Sequence, residues 1–118
     1  MTKVLFVDDE ALLALGAEMS FRDQGYDVEI AFDGEEALRK ALVFTPDIVV
    51  TDFMMPKLDG AGLARALLGN RIKAPIVLVT AVPEADLSQE TRTLFAAFLQ
   101  KPLGDDELIS CVATLFGR

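Results

Sequence analysis

Residues 46–52 are PDIVVTD, an apolar stretch that ends on the carboxylate of Asp52. A short run rich in β-branched residues and bounded by Pro and Asp predicts a buried strand. Asp52 then stands where the strand passes into a loop. In an open parallel sheet, this carboxyl end of the strand is the edge at which ligands bind.

Three further apolar runs also end on polar side chains. VLFV is followed by Asp8 and Asp9, IVLV by Thr80, and FLQ by Lys101. Because the carboxyl ends of parallel strands meet at one edge of a sheet, we expect all of these groups to lie close to Asp52. Three acids, a hydroxyl and an ammonium together would suit a divalent cation and a phosphoryl group.

Segments with helical periodicity alternate with these apolar runs along the whole chain. Five βα units in succession predict a parallel sheet sandwiched between helices and joined by right-handed crossovers. No linker, repeat or low-complexity segment interrupts them, so we expect one domain over residues 1–118. The predicted strands are 4–7, 26–31, 46–52, 76–80 and 98–100, and the predicted helices are 10–24, 35–43, 60 to about 68, 87 to about 96, and 105–115.

Composition excludes several classes of function. The 118 residues are 52% hydrophobic, enough for a real core, and carry a net charge of -8. This charge disfavours nucleic acids and anionic membrane surfaces as direct partners. With one cysteine and no histidine, a monomer has neither a disulfide framework nor a histidine or cysteine metal site.

The start of the chain indicates a cytoplasmic protein. A strand begins directly after Met1-Thr2-Lys3, so we expect no leader with a charged start and a long apolar segment. No apolar stretch reaches the about 20 residues needed to span a bilayer.

The three acids predict a particular chemistry. Carboxylates that converge in one cleft repel each other until cations neutralise them. Lys101 supplies one positive charge, and Mg²⁺, which prefers oxygen ligands and uses one or two carboxylates, would supply two more. Asp52 then remains free to attack a phosphoryl donor and form an aspartyl phosphate, with the cations stabilising the transferring group.

Each of these residues also has a purely structural interpretation. Asp8 or Asp9 could cap the first helix, since Asp is a favoured N-cap. Thr80 could be only a strand former, and Lys101 only a solvated surface charge. Their joint placement at the ends of adjacent strands favours a functional site.

The sequence resembles the receiver domain of bacterial two-component response regulators over essentially its whole length. This resemblance implies a doubly wound, five-stranded parallel sheet with helices on both faces, the flavodoxin-like (βα)5 fold with strand order 2-1-3-4-5. The segments that carry it are Val7-Asp8-Asp9-Glu10, Asp52-Phe53-Met54-Met55-Pro56-Lys57-Leu58-Asp59-Gly60, Thr80-Ala81 and Lys101-Pro102.

The resemblance also implies the roles of the acids. Asp52 would accept a phosphoryl group from a phosphohistidine on a sensor histidine kinase or a histidine phosphotransfer protein. Mg²⁺ would be held by Asp8, Asp9, Asp52 and the backbone carbonyl of Met54, with Asp9 as a direct ligand and Asp8 acting through water.

Further roles follow for the last two strands. Thr80 would be the switch hydroxyl, Lys101 the partner of the phosphoryl oxygens, and the Lys101-Pro102 bond cis. Phe98 would be a mobile switch aromatic whose rotation remodels the surface of the fourth helix, last strand and last helix. The alternative for Phe98 is a static core aromatic.

Two departures from the family pattern carry consequences. Leu94-Phe95-Ala96-Ala97 stands where the family has a Gly-Ala pair, so the fourth helix is expected to end differently or run longer. Met54 and Val82, two residues after Asp52 and Thr80, are apolar. Neither side chain can orient a hydrolytic water, so we expect slow loss of phosphate.

The first helix has two apolar faces at 100° per residue. The family pattern makes one of them the core face: Leu13, Gly16, Ala17, Ser20 and Phe21. The other, Leu12, Leu15 and Met19, would then be an exposed stripe suited to docking a kinase helix. Alternatively, neighbouring side chains cover this stripe, or the two faces are reversed.

The sequence therefore predicts a stand-alone phosphoryl-accepting signalling module that catalyses only its own phosphorylation and dephosphorylation. It would act on a downstream protein target, as a monomer or a phosphorylation-dependent dimer. Alternatives are a phosphorelay intermediate or phosphate sink, or the receiver segment of a hybrid kinase or transcription regulator. A Mg²⁺-dependent phosphatase is disfavoured because Phe53 and Met54 follow Asp52 where a second acid is needed. A phosphorylation-independent interaction domain is disfavoured by the complete set of polar residues.

Overall fold

Five parallel strands form one sheet in the order β2-β1-β3-β4-β5. The computed structural model describes residues 1–116. Its sheet confirms the predicted doubly wound arrangement, although four strands begin or end one or two residues from the predicted positions. The strands are β1 (Lys3–Val7), β2 (Asp27–Ala31), β3 (Ile48–Thr51), β4 (Ile76–Thr80) and β5 (Ala97–Gln100).

Helices cover both faces of this sheet, and each face has its own apolar core. One core joins the sheet to α1 and α5, and the other joins it to α2, α3 and the segment before β5. None of the helices within residues 1–116 is both long and apolar enough to cross a membrane. The helices are α1 (Ala11–Asp23), α2 (Gly34–Phe44), α3 (Gly60–Gly69), α4 (Gln89–Arg92) and α5 (Asp105–Phe116), with a 3-10 turn at Glu84–Asp86.

The three central strands explain why the site lies at one edge. Every residue of β3 and β4 is buried, which accounts for their continuous apolar sequences. In the parallel register, Val7 of β1 pairs with Thr51 of β3, so both strands end at the same level. The Asp52 N–H donates to the Val7 carbonyl at 3.1 Å and extends this pairing by one residue. The next side chains, those of Asp8 and Asp52, therefore project from adjacent strand ends.

The fourth helix was predicted incorrectly. The helix expected to reach about Ala96 ends at Arg92, so it is shorter rather than longer. The Ala96 N–H already donates to the Ile76 carbonyl of β4, at 2.8 Å, and Phe95 is buried against the sheet. Burial of an aromatic side chain and early strand pairing thus outweigh the helical propensity of Leu94 and the two alanines.

The faces of α1 are largely as predicted. Ala17 and Phe21 lie in the core, while Leu12, Leu15 and Met19 are 87%, 44% and 67% exposed. The placement of Leu13 in the core was wrong, since it is 39% exposed and lies at the rim of the sheet edge. Ala14 is buried in its place.

Candidate functional site

Asp52 lies immediately beyond β3 with its carboxylate held on both oxygens. Its Oδ1 accepts the N–H of Phe53 at 2.7 Å, and its Oδ2 accepts from the Lys101 ammonium at 3.0 Å. The side chain is 12% exposed, so it reaches solvent at the strand end without being freely mobile. The backbone donor fixes the plane of the carboxylate.

Three carboxylates converge here as predicted. One ligand oxygen from each of Asp8, Asp9 and Asp52 lies within 4.8 Å of the other two. Asp8 is buried and Asp9 is exposed, so the cluster has a closed and an open side. Asp8 does not cap α1 in the usual way: its Oδ1 accepts the N–H of Glu10, the N-cap residue itself, at 2.9 Å. This hydrogen bond therefore orients the Asp8 carboxylate and is not a helix cap.

Lys101 joins two of the acids. Its ammonium nitrogen lies 2.9 Å from Asp8 Oδ2 and 3.0 Å from Asp52 Oδ2, with the side chain only 16% exposed. Burial disfavours the charged ammonium, but the hydrogen bonds and negative charges of the two acids outweigh it and raise the pKa of Lys101. The solvated-surface interpretation of Lys101 was wrong, because it stays charged within the site.

Thr80 is buried at the carboxyl end of β4, on the same edge of the sheet. Its hydroxyl oxygen accepts the N–H of Val82 at 3.3 Å, and its carbonyl accepts the N–H of Lys101 at 2.9 Å. The second bond ties the end of β4 to the residue that pairs the acids. Because the hydroxyl oxygen acts as acceptor here, its own proton is available to a further acceptor.

Phe98 is half-buried on β5, edge-on to Phe95 with ring centroids 5.9 Å apart. Phe98 and Thr80 both line a cavity of about 90 Å³, together with Val82 and Leu87 among others. Phe98 therefore lies neither fully in the core nor fully in solvent. The Lys101-Pro102 peptide bond that follows β5 is cis, as predicted.

The loop after Asp52 returns tightly to the start of α3. The N–H of Gly60 donates to the carbonyl of Phe53 at 2.7 Å, which closes the loop next to the acids. Asp59 caps α3 by accepting the N–H of Gly62 at 2.7 Å. Met54, whose carbonyl is the predicted metal ligand, lies within this loop with a 65% exposed side chain.

Some groups of the site were not predicted from the sequence. The Phe53 N–H is a backbone donor, and no residue type signals it. Glu10 lies 3.9 Å from the Lys101 ammonium and adds a fourth, exposed carboxylate. Its position directly after the acid pair, in one of the motif segments, could have identified it.

The doubly wound sheet with acids and a lysine at its carboxyl edge defines a flavodoxin-like α/β domain with an acidic site. The family model described as the response regulator receiver domain matches residues 4–113. The chain therefore belongs to the receiver domain family of two-component response regulators.

Particular relatives agree with this assignment. The chain is 37% identical over 118 residues to the transcriptional regulatory protein PdtaR of Mycobacterium tuberculosis, a match covering 98% of this chain and 57% of PdtaR. It spans about half the length of the full-length relatives it matches.

Solved receiver structures also superimpose closely. The receiver domain of the Francisella response regulator 1452 is 34% identical, with a TM-score of 0.90, over 100% of this chain and 98% of that one. The response regulator protein TrrA of Thermotoga maritima, in complex with Mg(2+)-BeF, is 30% identical, with a TM-score of 0.85, over 98% of this chain and 99% of that one.

Proposed function

We propose that residues 1–118 form one receiver domain whose Asp52 accepts a phosphoryl group from a histidine kinase or a histidine phosphotransfer protein. The observation that carries this proposal is the Lys101 ammonium, which lies within 3.0 Å of both Asp8 and Asp52. A cation held between two acids at a strand end neutralises charge where a phosphoryl group would arrive.

The acids suit a hard divalent cation. Carboxylate and carbonyl oxygens are the donors that Mg²⁺ prefers, and the three carboxylates lie within 4.8 Å of one another. Asp8, Asp9, Asp52 and the carbonyl of Met54 would hold it. When bound, Mg²⁺ supplies positive charge that stabilises the transferring phosphoryl group. TrrA, a related receiver, forms a complex with Mg(2+)-BeF.

In the transfer step, an oxygen of Asp52 forms a bond to phosphorus while the bond from phosphorus to the donor nitrogen breaks. The electron pair of that bond stays on the histidine ring of the donor, which leaves as the neutral imidazole once it holds a proton. Lys101 exchanges its bond to Asp52 for one to a phosphoryl oxygen, so its charge stays beside the reacting group. The domain catalyses only its own phosphorylation and dephosphorylation.

Phosphorylation would then act on Thr80. The new phosphoryl oxygens are strong acceptors, and the Thr80 hydroxyl has a proton to donate to one of them. Movement of Thr80 toward the phosphoryl group enlarges the cavity of about 90 Å³ beside it, and Phe98, at the wall of that cavity, can turn inward. The surface of α4, β5 and α5 would change and bind the downstream protein target, as a monomer or a phosphorylation-dependent dimer.

The donor would dock at the exposed stripe of α1. Leu12, Leu15 and Met19 are exposed on the helix that begins beside Asp9, so a partner helix lying on them also reaches the site. An apolar recess of about 180 Å³, lined by Leu13 of α1 and by Pro102 after β5, adds a second apolar surface at this helix. Substitution of Leu12 by Asp is expected to slow transfer from a kinase but not from a small phosphodonor.

A second candidate is a receiver segment of a longer protein. The relatives are about twice as long as the matched region, and PdtaR is a transcriptional regulatory protein. The phosphoryl chemistry would be the same, with the switched surface acting on an attached domain in the cytoplasm. A phosphorelay intermediate or phosphate sink would use the same site without a dedicated target.

Intact mass after incubation with acetyl phosphate and Mg²⁺ tests the proposal. We expect one added phosphoryl group in the wild type and in Asp86→Asn, an exposed acid away from the site, and none in Asp52→Asn or in EDTA. An adduct that persists in Asp52→Asn, or that forms equally in EDTA, would contradict it.

A further inference from the structure

The loop between β3 and α3 is seated against the first turn of α2 by direct backbone contact. We propose that Gly34 is a positioning residue for the acidic site: its missing side chain lets this loop, which carries Met54, pack against α2. This inference rests on the proposed function, because it assigns Gly34 a part in holding the metal ligands.

The contact leaves no room for a methyl group. A Cβ added at Gly34 would lie 2.6 Å from Cβ and 2.8 Å from the carbonyl carbon of Leu58, and it would overlap the Leu58 carbonyl oxygen. These are largely backbone atoms, which cannot rotate away as the end of a side chain can. Gly34 begins α2 and its φ is not in the left-handed region, so what the position requires is space rather than an unusual conformation.

The loop is strained at the residue next to this contact. Lys57 has a φ of 70°, and the N–H of Leu58 donates to the carbonyl of Pro56 at 2.8 Å to close a three-residue turn around it. A left-handed residue with a side chain costs free energy and persists only where its surroundings hold it. Lys57 is held on the α2 side, where its ammonium lies 3.6 Å from Asp33 and Leu58 packs on Gly34.

The two ends of the loop are also held closely against each other. A Cβ added at Gly60 would lie 2.5 Å from the carbonyl oxygen of Asp52, and the Gly60 N–H already bonds to Phe53. With both ends fixed, the short loop cannot absorb a displacement at Leu58 locally. The displacement must pass to the residues between, which include Met54 and the Phe53 N–H that holds the Asp52 carboxylate.

Replacing Gly34 by Ala tests this positioning role, with Gly69→Ala as the matched control. An added methyl at Gly69 meets no atom within 4 Å, so the same change is made without a contact. Mn²⁺, which accepts the same oxygen ligands as Mg²⁺, is titrated into each protein and its free signal followed by electron paramagnetic resonance. We expect Gly34→Ala to bind Mn²⁺ about tenfold or more weakly, the range for loss of a group that orients ligands, and Gly69→Ala to match the wild type.

A second readout separates positioning from a general loss of stability. Thermal unfolding in EDTA measures the stability of each protein without metal. The Mn²⁺ titration is then done at a temperature well below the midpoint of unfolding, where each protein is folded. A lower midpoint together with unchanged Mn²⁺ affinity of the folded protein would overturn the proposal. Weaker Mn²⁺ binding by a protein that is fully folded in EDTA supports it.

Two further variants keep the test decisive. At Gly62, the nearest atoms to an added Cβ all belong to side chains: Cδ1 of Leu58 at 2.6 Å, Oδ1 of Asp59 at 3.2 Å and Cγ of Leu58 at 3.3 Å. Side chains can give way where a backbone cannot, so Gly62→Ala should bind Mn²⁺ nearly as the wild type does. If Gly34→Ala does not fold, Leu58→Gly loosens the loop at the same place, because it removes the Leu58 Cβ and leaves a flexible glycine backbone against Gly34, and it is expected to weaken Mn²⁺ binding. Unchanged affinity in Leu58→Gly would overturn the proposal. Failure of the wild type itself to bind Mn²⁺ would instead refute the proposed function.

Discussion

Replacing Lys101 with Met should strongly destabilise the protein in the absence of metal. Lys101 is bonded to Asp8, which is 2% exposed, and to Asp52 at the mouth of the site. Removing one partner of a buried ion pair costs about 3–5 kcal/mol, because the other charge is left uncompensated. Water reaches the open side of this site and screens part of that loss, so we expect about 2–3 kcal/mol.

Urea unfolding at pH 7 in EDTA, followed by circular dichroism, measures this loss. Lys73→Met is the control, since Lys73 is an exposed lysine in a loop and its removal should change stability by about 0.5 kcal/mol or less. Saturating Mg²⁺ should reduce the difference in free energy of unfolding between Lys101→Met and the wild type. A cation bound to the acids stabilises the folded state and replaces the positive charge that the variant has lost. A loss in EDTA below about 1 kcal/mol would refute the reasoning, since it would match an exposed pair.

A double-mutant cycle assigns the loss to the acids. In an Asp8→Asn background, Lys101→Met should cost at least about 1 kcal/mol less, since the buried charge is already gone. The pKa of Lys101 is raised, so the stabilisation from its charge is fully present below the unfolded pKa of a lysine and is lost only as pH rises through the higher folded value. The cost of the substitution should therefore be constant through neutral pH.

Three other outcomes are expected. The Cys111 thiol, whose pKa is raised by partial burial, should react with a thiol reagent at pH 8 more slowly in the folded protein than in urea, and equal rates would contradict this partial burial. The N–H groups of the first turn of α2 lower the pKa of Asp33, so its charge stabilises the fold above the ordinary carboxyl pKa and this is lost as pH falls through the folded value. The stability difference between wild type and Asp33→Asn in urea should accordingly shrink in acid, and a difference that grows would be inconsistent. Phosphate on Asp52 should be lost faster from Met54→Asn and Val82→Glu than from the wild type, as followed by intact mass over time. Equal rates would show that side chains at these positions have no part in orienting water.

The sequence predicted the fold and most of the site because its signals are local and repeated. A strand that is buried on both faces needs a continuous apolar run, and VLFV, IVVT and IVLVT supply three of them. Once those strands are placed side by side in parallel, the residue after each one must reach the same edge. Asp8, Asp52 and Thr80, which ends the third run, could therefore be brought together with no knowledge of side-chain positions, and Lys101 joins them because β5 ends at the same edge.

The predictions were wrong where tertiary contacts determine the end of a helix or the face that it buries. Nothing in Leu94-Phe95-Ala96 says that Phe95 will be buried and that Ala96 will pair with β4, so the local pattern favoured a longer helix. In α1, Leu13 and Ala14 are both apolar, and only the packing of the helix on the sheet decides which is buried. Helical periodicity gives the two faces of α1 but fixes their rotation only to within about one residue.

Gly25 and Gly34 show which structural requirements for glycine a sequence pattern can reveal and which it cannot. Gly25 follows α1 with a φ of 87°, a helix-ending role that its position in the sequence predicts. Gly34 is also next to a helix end, yet its requirement comes from Leu58, which lies 24 positions further along the chain. A long-range contact between two backbones leaves no periodicity, charge or motif of its own in the sequence. It is nevertheless this contact that seats the loop beside Asp52, so part of the site is determined by a residue with no side chain to contribute to it.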